Sequence, residues 1–456
     1  MKSSEIAALT VAGLDPSGGA GIVADALTLA SIGVRPCAVV TALTVQDTRG
    51  VYEVMPVPAS LIREQIMKIL DDVEIRAIKI GMLYSRENIV AISSVLESKE
   101  APLVLDPLIK AGDGTPLLEK GAERELVRLV EQAQVVTPNV NEAEALAGIK
   151  IRTLKDCMKA AEIIAKMGPE AVVVKGGHLE GKRVVDLVYY KGRVLQLETE
   201  RISGKFHGTG CVFSSAIAGY LALGLDLLRA IREAKRLITL SIKHSIKLGR
   251  GRLLPNPLSV LEIDAYKYRV LENLNTAVTI LERSPELAEM IPEVRINIAY
   301  AMPRRYACSL EDVAAIPGRI TKIKGRLKAT AQPMFGASKH LARAVLAVME
   351  YDPTMRAAMN IKYDPEIIRI AKELGFTVSF YDRRKEPPEV KRKEGTTIPW
   401  GIRQAIKAIG GKVPDLVYHL GDWGKEPMIT IFGRDAVDAV LKALRIARRY
   451  RLSKNV

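Results

Sequence analysis

Residues 204–224 read GKFHGTGCVFSSAIAGYLALG. From Cys211 to Gly224 no residue is charged and most are small, which predicts a buried helix. Gly208 and Gly210 stand just before and within its first turn, where they let the backbone fold tightly and aim several N–H groups at one point. A helix start adds its own unpaired donors, so the stretch reads as an anion hole suited to a phosphoryl group in transfer. Cys211 sits where the helix dipole is expected to lower a thiol pKa, which would let it act as base or polariser for a substrate hydroxyl. A small buried cysteine at a helix start reads equally well.

Outward from that helix, the first 250 or so residues alternate short apolar runs with longer helical patterns. IAALTVAG, CAVVTALTV, IRAIKIGML, PLVLDPL, AQVVTPNV and EAVVVKGG read as strands, with Gly, Pro, Asp or Asn at or near their ends. Between them lie GIVADALTLASIG, ASLIREQIMKILDDV, SRENIVAISSVLESK and TLKDCMKAAEIIAKMG, which read as helices. The expected fold is α/β: a mainly parallel sheet with helices on both faces, with ligands beyond the carboxyl ends of the strands. After GRGRLLPNPLS the pattern changes. The expected organisation is a first domain over 1–255, a helical connector over 256–288, and a second, smaller α/β domain over 289–456.

At 456 residues the chain is too long for one ordinary core. Its 48% hydrophobic and 26% charged residues fit a soluble globular protein, and no continuous apolar run approaches the roughly 20 residues of a membrane span. The N-terminal run leads straight into a Gly-rich turn and reads as a first strand, not a cleaved signal, so a cytoplasmic location is expected. Cys37, Cys157, Cys211 and Cys308 are scattered, with neither zinc-ligand spacing nor a disulfide framework. The formal charge of +15 is spread along the chain and interleaved with acids. It reads as a charge-rich surface with sites for phosphorylated small molecules, without a nucleic-acid or membrane partner.

The strand ends carry the unusual residues. AGLDPSGGAGIVAD is a second Gly-rich turn that fits neither GxGxxG nor GxxxxGK[ST]. Asp25 and Gln46 are polar groups able to hydrogen-bond a heterocycle, though each alone also suits a cap or a turn. VLDPL places Asp106 at one strand end, and TPNVNEAEAL places Asn139 and Glu142 at the next. Two carboxylates at neighbouring strand ends suit a magnesium–phosphate site. Lys175, in VVVKGGH, suits the charge of a triphosphate.

In this order, GLDPSGGAGIVAD, ALTVQDTRGV, KIGML, VLDP, TPNVNEAEAL, VVKGGH and HGTGC resemble the hydroxymethylpyrimidine and phosphomethylpyrimidine kinases of thiamine biosynthesis, over about residues 5–250. The resemblance implies a ribokinase-like fold and two successive ATP-dependent phosphorylations of 4-amino-5-hydroxymethyl-2-methylpyrimidine. It implies that Gly13, Ala20, Asp25, Thr44, Gln46 and Met82 hold the aminopyrimidine, and that Asp106 and Glu142 organise Mg²⁺. Lys175 would neutralise the phosphates, while Gly208 and Gly210 frame the anion hole with Cys211 nearest the hydroxymethyl group. Related kinases often carry Asp where Cys211 stands. A thiol is the weaker base near neutral pH, so rate would depend more on positioning and charge neutralisation. That family commonly dimerises, which implies a homodimer or higher homo-oligomer. A vitamin B6 kinase is the neighbouring reading, since pyridoxal also offers a hydroxymethyl group on a nitrogen ring.

In the second half, Gly318-Arg319 lies in a turn, and FGASKH supplies Gly336, Ser338, Lys339 and His340 before or within the first turn of a helix. Small residues, a hydroxyl and flanking cations suit phosphate binding. Asp422 and Lys425, in HLGDWGKEPMITIFG, suit metal and phosphate, and Trp423 suits a stacked ring or a packing anchor. IPGRI, FGASKHLARAVL, MNIKYD and GDWGKEPMITIFG resemble the archaeal-type thiamine-phosphate synthase domain, over about residues 285–450. The resemblance implies Mg²⁺ and the coupling of hydroxymethylpyrimidine diphosphate with hydroxyethylthiazole phosphate. Arg319 and His340 would stabilise the leaving pyrophosphate. Similar domains attached to helix-turn-helix modules sense thiamine phosphate instead. No helix-turn-helix is read in this chain, and Arg319 and His340 are both present.

Overall fold

A computed structural model describes residues 5–97, 100–112, 114–178, 181–422 and 424–454. Trp423 lies outside the described residues. The chain divides into two compact units, Met1–Glu262 and Ile263–Val456.

The first unit is built on β1 (Ala7–Leu14), β2 (Arg35–Gln46), β3 (Val51–Pro56), β4 (Ile75–Ile80), β5 (Leu103–Leu105), β6 (Val135–Val136), β7 (Ala171–Val174), β8 (Arg183–Tyr190) and β9 (Arg193–Glu200). Among the described residues they form one sheet in the order β3-β2-β1-β4-β5-β6-β7-β8-β9. The six strands from β2 to β7 pair in parallel. The margins β3, β8 and β9 pair antiparallel.

Side-chain alternation explains why both faces are covered. Leu9, Val11, Ile78, Ile80, Leu103 and Leu105 enter one core, with Ile62, Ile66, Ile89 and Ile92 from the helices Ala59–Asp72 and Arg86–Leu96. Ala8, Ala77, Val104, Val135, Ala171 and Val173 enter the other, against the helices Gly21–Ser31 and Thr209–Ala222. The uncharged stretch that predicts a buried helix is that second helix, and ten of its fourteen residues are buried. Strand order reverses about β1, between β2 and β4, and opens a crevice at the carboxyl ends there.

The second unit contains β10 (Ile298–Ala301), β11 (Val313–Ala315), β12 (Ile320–Ile323), β13 (Arg326–Ala329), β14 (Met334–Phe335), β15 (Ala357–Lys362), β16 (Val378–Phe380), β17 (Leu416–His419) and β18 (Met428–Gly433). Among the described residues, seven form a mixed sheet in the order β14-β11-β10-β15-β18-β17-β16, in which only β16 and β17 pair in parallel. All four residues of β10 are buried, because helices cover both faces. The pairs Lys339–Val348 with Thr397–Ala408 and Pro365–Glu373 with Ala436–Lys454 supply that cover.

The segment expected as a connector contains the helix Ser259–Glu282, and the unit boundary falls inside it. Val270, Leu274, Ala277 and Leu281, at helical spacing, are fully buried in the second unit's core. From Ile263 onward the helix is therefore part of that unit's fold, not a free spacer.

Candidate functional site

The anion hole is built by two Gly-rich turns that touch backbone to backbone. Gly208 caps the helix Thr209–Ala222 in the left-handed region, at φ 86°. A Cβ there would lie 1.7 Å from the Gly19 carbonyl oxygen, so no side chain fits. The Val212 amide donates to the Gly208 carbonyl at 3.1 Å. The amides of Thr209, Gly210 and Cys211 precede that first helical bond and have no partner within the helix. A Cβ at Gly210 would stand 3.0 Å from Lys175 Nζ and 3.2 Å from Asp106 Oδ2, which puts the bare Gly210 backbone against both charged groups.

Lys175 Nζ donates to Asp106 Oδ1 at 2.6 Å. Burial works against the ammonium, but the charges of Asp106 and Glu142 overcome it and raise the Lys175 pKa. Asn139 and Glu142 form a capping box at the start of the helix Val140–Ala147, with the Asn139 amide donating to Glu142 Oε2 at 2.7 Å. Burial pushes Glu142 up to about 7; Lys175 opposes that shift and Asp106 adds to it, while the Asn139 and Ile109 amides oppose it.

Asp106 Oδ2 and Glu142 Oε1 are buried without a hydrogen bond of normal geometry. Two such orphaned oxygens fit Mg²⁺, which takes one or two carboxylates and completes its shell with water and substrate phosphates. No group of three or more His, Cys, Asp or Glu able to hold a metal occurs among the described residues.

The crevice wall is a hydrogen-bonded chain. A Cβ on Gly13 would stand 2.8 Å from Met82 Sδ, so the thioether lies against the bare backbone. Thr44 Oγ1 donates to the Leu14 carbonyl at 2.8 Å and lies 3.1 Å from the Gln46 amide. The Gln46 amide is 2.9 Å from His207 Nε2, which is itself 2.9 Å from Asp15 Oδ2. An Nε2–H that donates to Asp15 can be shared with an amide oxygen but not with an amide nitrogen, so Gln46 fits best with its oxygen toward His207 and its NH₂ toward Thr44. Asp15 also accepts from Ser17 and from the Ala20 amide, at 2.7–2.9 Å. Burial opposes ionisation of Asp15, but the His207 and Ser17 bonds hold its pKa below the usual value. Ser17, Gln46, Thr48, Arg49 and Arg250 line an open pocket beside this chain.

Two expectations need correction here. Asp25 is fully buried and does not line the crevice. Its oxygens accept from Thr10 Oγ1, Lys79 Nζ and Ser215 Oγ, each at 2.7 Å, which leaves it no direct route to a pyrimidine. Cys211 is also buried, and burial pushes its thiol up to about 11, with Lys79 only partly offsetting this. The helix dipole does not prevail over desolvation, and the group is a thiol at neutral pH. Asp15, Lys79 and the role of His207 escaped the sequence reading. The signals were there: LDPSGG is a turn sequence, and Lys79 is a charge in the middle of an apolar strand.

In the second unit a cavity of about 240 Å³ gathers Arg319, Ser338, His340 and Lys425, four of the expected residues. Arg383 and His419 line it too and were not anticipated. Gly318 and Arg319 both lie in the left-handed region, at φ 67° and 72°. For a non-glycine residue that is an unfavourable conformation, held here by bonds on both sides. The Arg319 guanidinium donates to the Val294 carbonyl, and Thr330 donates from its amide and hydroxyl to the Arg319 carbonyl. Ser338 caps the helix Lys339–Val348, whose start faces the cavity through Ser338, His340 and Leu341.

Desolvation in the cavity, then the charges of Arg319, Arg383, Arg343 and Lys425, push the His340 imidazole down to about 4. The residue keeps solvent exposure, so the surrounding cations carry that direction. Three of the expected phosphate residues lie elsewhere. Gly336 packs against the Glu311 carboxylate, Lys339 is exposed and does not line the cavity, and Asp422 pairs with Lys391 at 3.2 Å.

The first unit thus belongs to the class of ribokinase-like small-molecule kinases, joined to a smaller α/β domain with a cationic cavity. Residues 15–256 match the family described as phosphomethylpyrimidine kinase, and residues 273–445 match thiamine-phosphate synthase ThiN. The chain belongs to the phosphomethylpyrimidine kinase family, in the form that carries a thiamine-phosphate synthase domain behind the kinase.

It is 32% identical to the bifunctional thiamine biosynthesis protein ThiDN of Methanocaldococcus jannaschii, over 97% of this chain and 98% of that one. Its second half is 45% identical to thiamine-phosphate synthase ThiN of Methanothermobacter thermautotrophicus, over 40% of this chain and 95% of that one. Among solved structures, the pyridoxal kinase of Staphylococcus aureus in complex with pyridoxal superposes with a TM-score of 0.53 at 31% identity, over 56% of this chain and 95% of that one. Among the described residues no helix is long and apolar enough to cross a membrane.

Proposed function

We propose that the first unit phosphorylates hydroxymethylpyrimidine to the monophosphate and then to the diphosphate, and that the second unit couples the diphosphate with hydroxyethylthiazole phosphate. The observation that carries the kinase reading is the meeting of Gly210 with Lys175 and Asp106. The free amides of the helix start and the Lys175 ammonium stand where negative charge spreads over a transferred phosphoryl group. The substrate hydroxyl attacks the terminal phosphorus of ATP, a new O–P bond forms, ADP leaves with the electrons of the broken bond, and the hydroxyl proton passes to a phosphate oxygen or to water.

A loose transition state asks little of a base, which agrees with a Cys211 that remains a thiol. Gln46, Thr44 and Met82 supply a polar edge and an apolar face for the ring. Asp106 and Glu142 would hold Mg²⁺, whose charge would screen the phosphates.

In the second unit, Arg319, Lys425 and the helix start favour cleavage of the methylene–oxygen bond by stabilising the departing pyrophosphate. The thiazole nitrogen then bonds to the cation-like methylene.

Product analysis of the purified chain with hydroxymethylpyrimidine, hydroxyethylthiazole phosphate and Mg²⁺-ATP tests both halves. Thiamine phosphate and pyrophosphate are expected. Accumulation of the pyrimidine diphosphate alone would remove the synthase reading. The likeness to a pyridoxal kinase favours pyridoxal as a second kinase substrate, and the same assay with pyridoxal decides it.

A further inference from the structure

We propose that Arg383 and His419 form a diphosphate-binding wall of the second-unit cavity, holding the diphosphate of the pyrimidine substrate and then the released pyrophosphate. This rests on the synthase reading given above. Arg383 lines the cavity, and its Nε is buried without a hydrogen-bond partner. A buried guanidinium N–H left unpaired is costly, and a bound anion would satisfy it.

The charge balance of the cavity points the same way. Arg319, Arg383 and Lys425 bring three positive charges, and Glu426 is the acid that lines it. The Glu426 oxygens already accept from the Glu293 and Val294 amides, at 2.8 and 3.2 Å. Set against Glu426, the three cations leave a surplus of about two positive charges, and a diphosphate offers two phosphoryl groups for them to share where orthophosphate offers one.

His419 supplies a fixed neutral donor. Its Nδ1 accepts from the Gly421 amide at 3.1 Å, so the remaining proton sits on Nε2. Burial, then the Arg383 charge and the neighbouring His340, push the imidazole down to about 3, which keeps it neutral across the working range. The ring lies 5.3 Å from that of Tyr381, which meets Trp400 edge-on at 6.1 Å. Tyr381 packs against the bare Gly401 backbone, since a Cβ there would stand 2.3 Å from its ring. The donor is thus oriented before any ligand arrives, the arrangement expected for stabilising charge that develops on a leaving group. Glu386, on the turn that follows Arg383, also has a buried unpaired oxygen but does not line the cavity. The competing role for Arg383 is as its counter-ion.

The test is calorimetric titration of the full chain with inorganic pyrophosphate and, separately, with orthophosphate, with a non-hydrolysable ATP analogue saturating the kinase unit. Arg383→Gln is expected to weaken pyrophosphate about tenfold or more and orthophosphate much less. His419→Phe is expected to weaken pyrophosphate, while His419→Gln, which keeps an N–H donor, stays within about threefold of the parent. An unchanged pyrophosphate affinity in a folded Arg383→Gln protein overturns the proposal and leaves the Glu386 counter-ion role. Should Arg383→Gln fail to fold, Arg383→Lys keeps the charge without the fork. Parent-like binding of both anions by that variant would equally overturn the proposal. A parent chain that binds pyrophosphate but makes no thiamine phosphate would sink the synthase reading alone.

Discussion

Asp25 Oδ2 and Lys79 Nζ lie 2.7 Å apart with neither side chain exposed to solvent. The pair joins the helix Gly21–Ser31 to β4, and Thr10 and Ser215 add β1 and the anion-hole helix to the same carboxylate. Desolvation works against the ammonium, but the Asp25 charge overcomes it and raises the Lys79 pKa. Gly81 leaves the space the ammonium occupies, since a Cβ there would stand 2.7 Å from Nζ. The carboxylate expected to bind substrate fixes the floor beneath the anion hole instead. Removing one member leaves a buried unpaired charge, so Lys79→Met or Asp25→Asn is expected to cost about 3–5 kcal/mol of stability. The Asp25→Asn/Lys79→Met double variant should recover much of that in denaturant unfolding. Additive losses would show that the pair is not the unit that matters.

At Gly210 the kinase step can be separated from folding. A methyl group there would stand within 3.2 Å of Lys175 Nζ and Asp106 Oδ2, and a lysine tip can move aside. Gly210→Ala is expected to fold and to lose about 10²-fold in the kcat of pyrimidine phosphorylation. Thiamine-phosphate formation from supplied pyrimidine diphosphate, in the same chain, should be unchanged. Gly208→Ala faces a carbonyl at 1.7 Å and should fail to fold its first unit, which circular dichroism would report.

The thiol of Cys211, pushed up to about 11, leaves a thiolate fraction of about one in a thousand at pH 8. A pH–rate profile of the kinase should show no thiol limb between pH 8 and 9. Cys211→Ser should keep activity within about tenfold, because positioning is the residue's role. A loss of a thousandfold or more in Cys211→Ser would restore the base assignment.

Arg319 allows side chain and backbone to be tested apart. Its φ of 72° suits glycine, so Arg319→Gly should fold at least as stably while losing synthase activity by about 10²-fold or more. Calorimetric melting of the second unit and the rate of thiamine-phosphate formation give the two readings. Retained synthase activity would free Arg319 of any role in the reaction.

The two histidines of the cavity set a pH dependence. His340 and His419 fall from the ordinary value of about 6.5 to about 4 and about 3. Below pH 6.5 the unfolded chain takes up protons that the folded state refuses, so second-unit stability should fall as pH drops from 6.5 toward 3. Thermal unfolding across that window should show the loss, and pyrophosphate should reduce it by countering the charge. A flat profile would mean that the histidines are protonated in the folded protein.

The six parallel-paired strands and the buried helix were legible because continuous apolar runs and an uncharged helical stretch permit little else. The β8–β9 hairpin was not named, although Lys191 and Gly192 at its turn take positive φ. β9 is half-exposed and mixes apolar with polar residues, and Asp186 interrupts the apolar residues of β8. Asp106, Glu142, Lys175 and Gly210 could be named in advance because each stands at a strand end or a helix start, where backbone geometry leaves groups unpaired. The sequence by itself determined this much: the layered fold, the succession of two domains, and the loops that hold the chemistry. Only the tertiary structure decided that Asp25 faces Lys79 and not a ligand, that Cys211 is a thiol, and that Arg383 and His419 reach the cavity of Arg319. Each of these depends on desolvation or on partners far away in the chain, and neither quantity is written in local spacing.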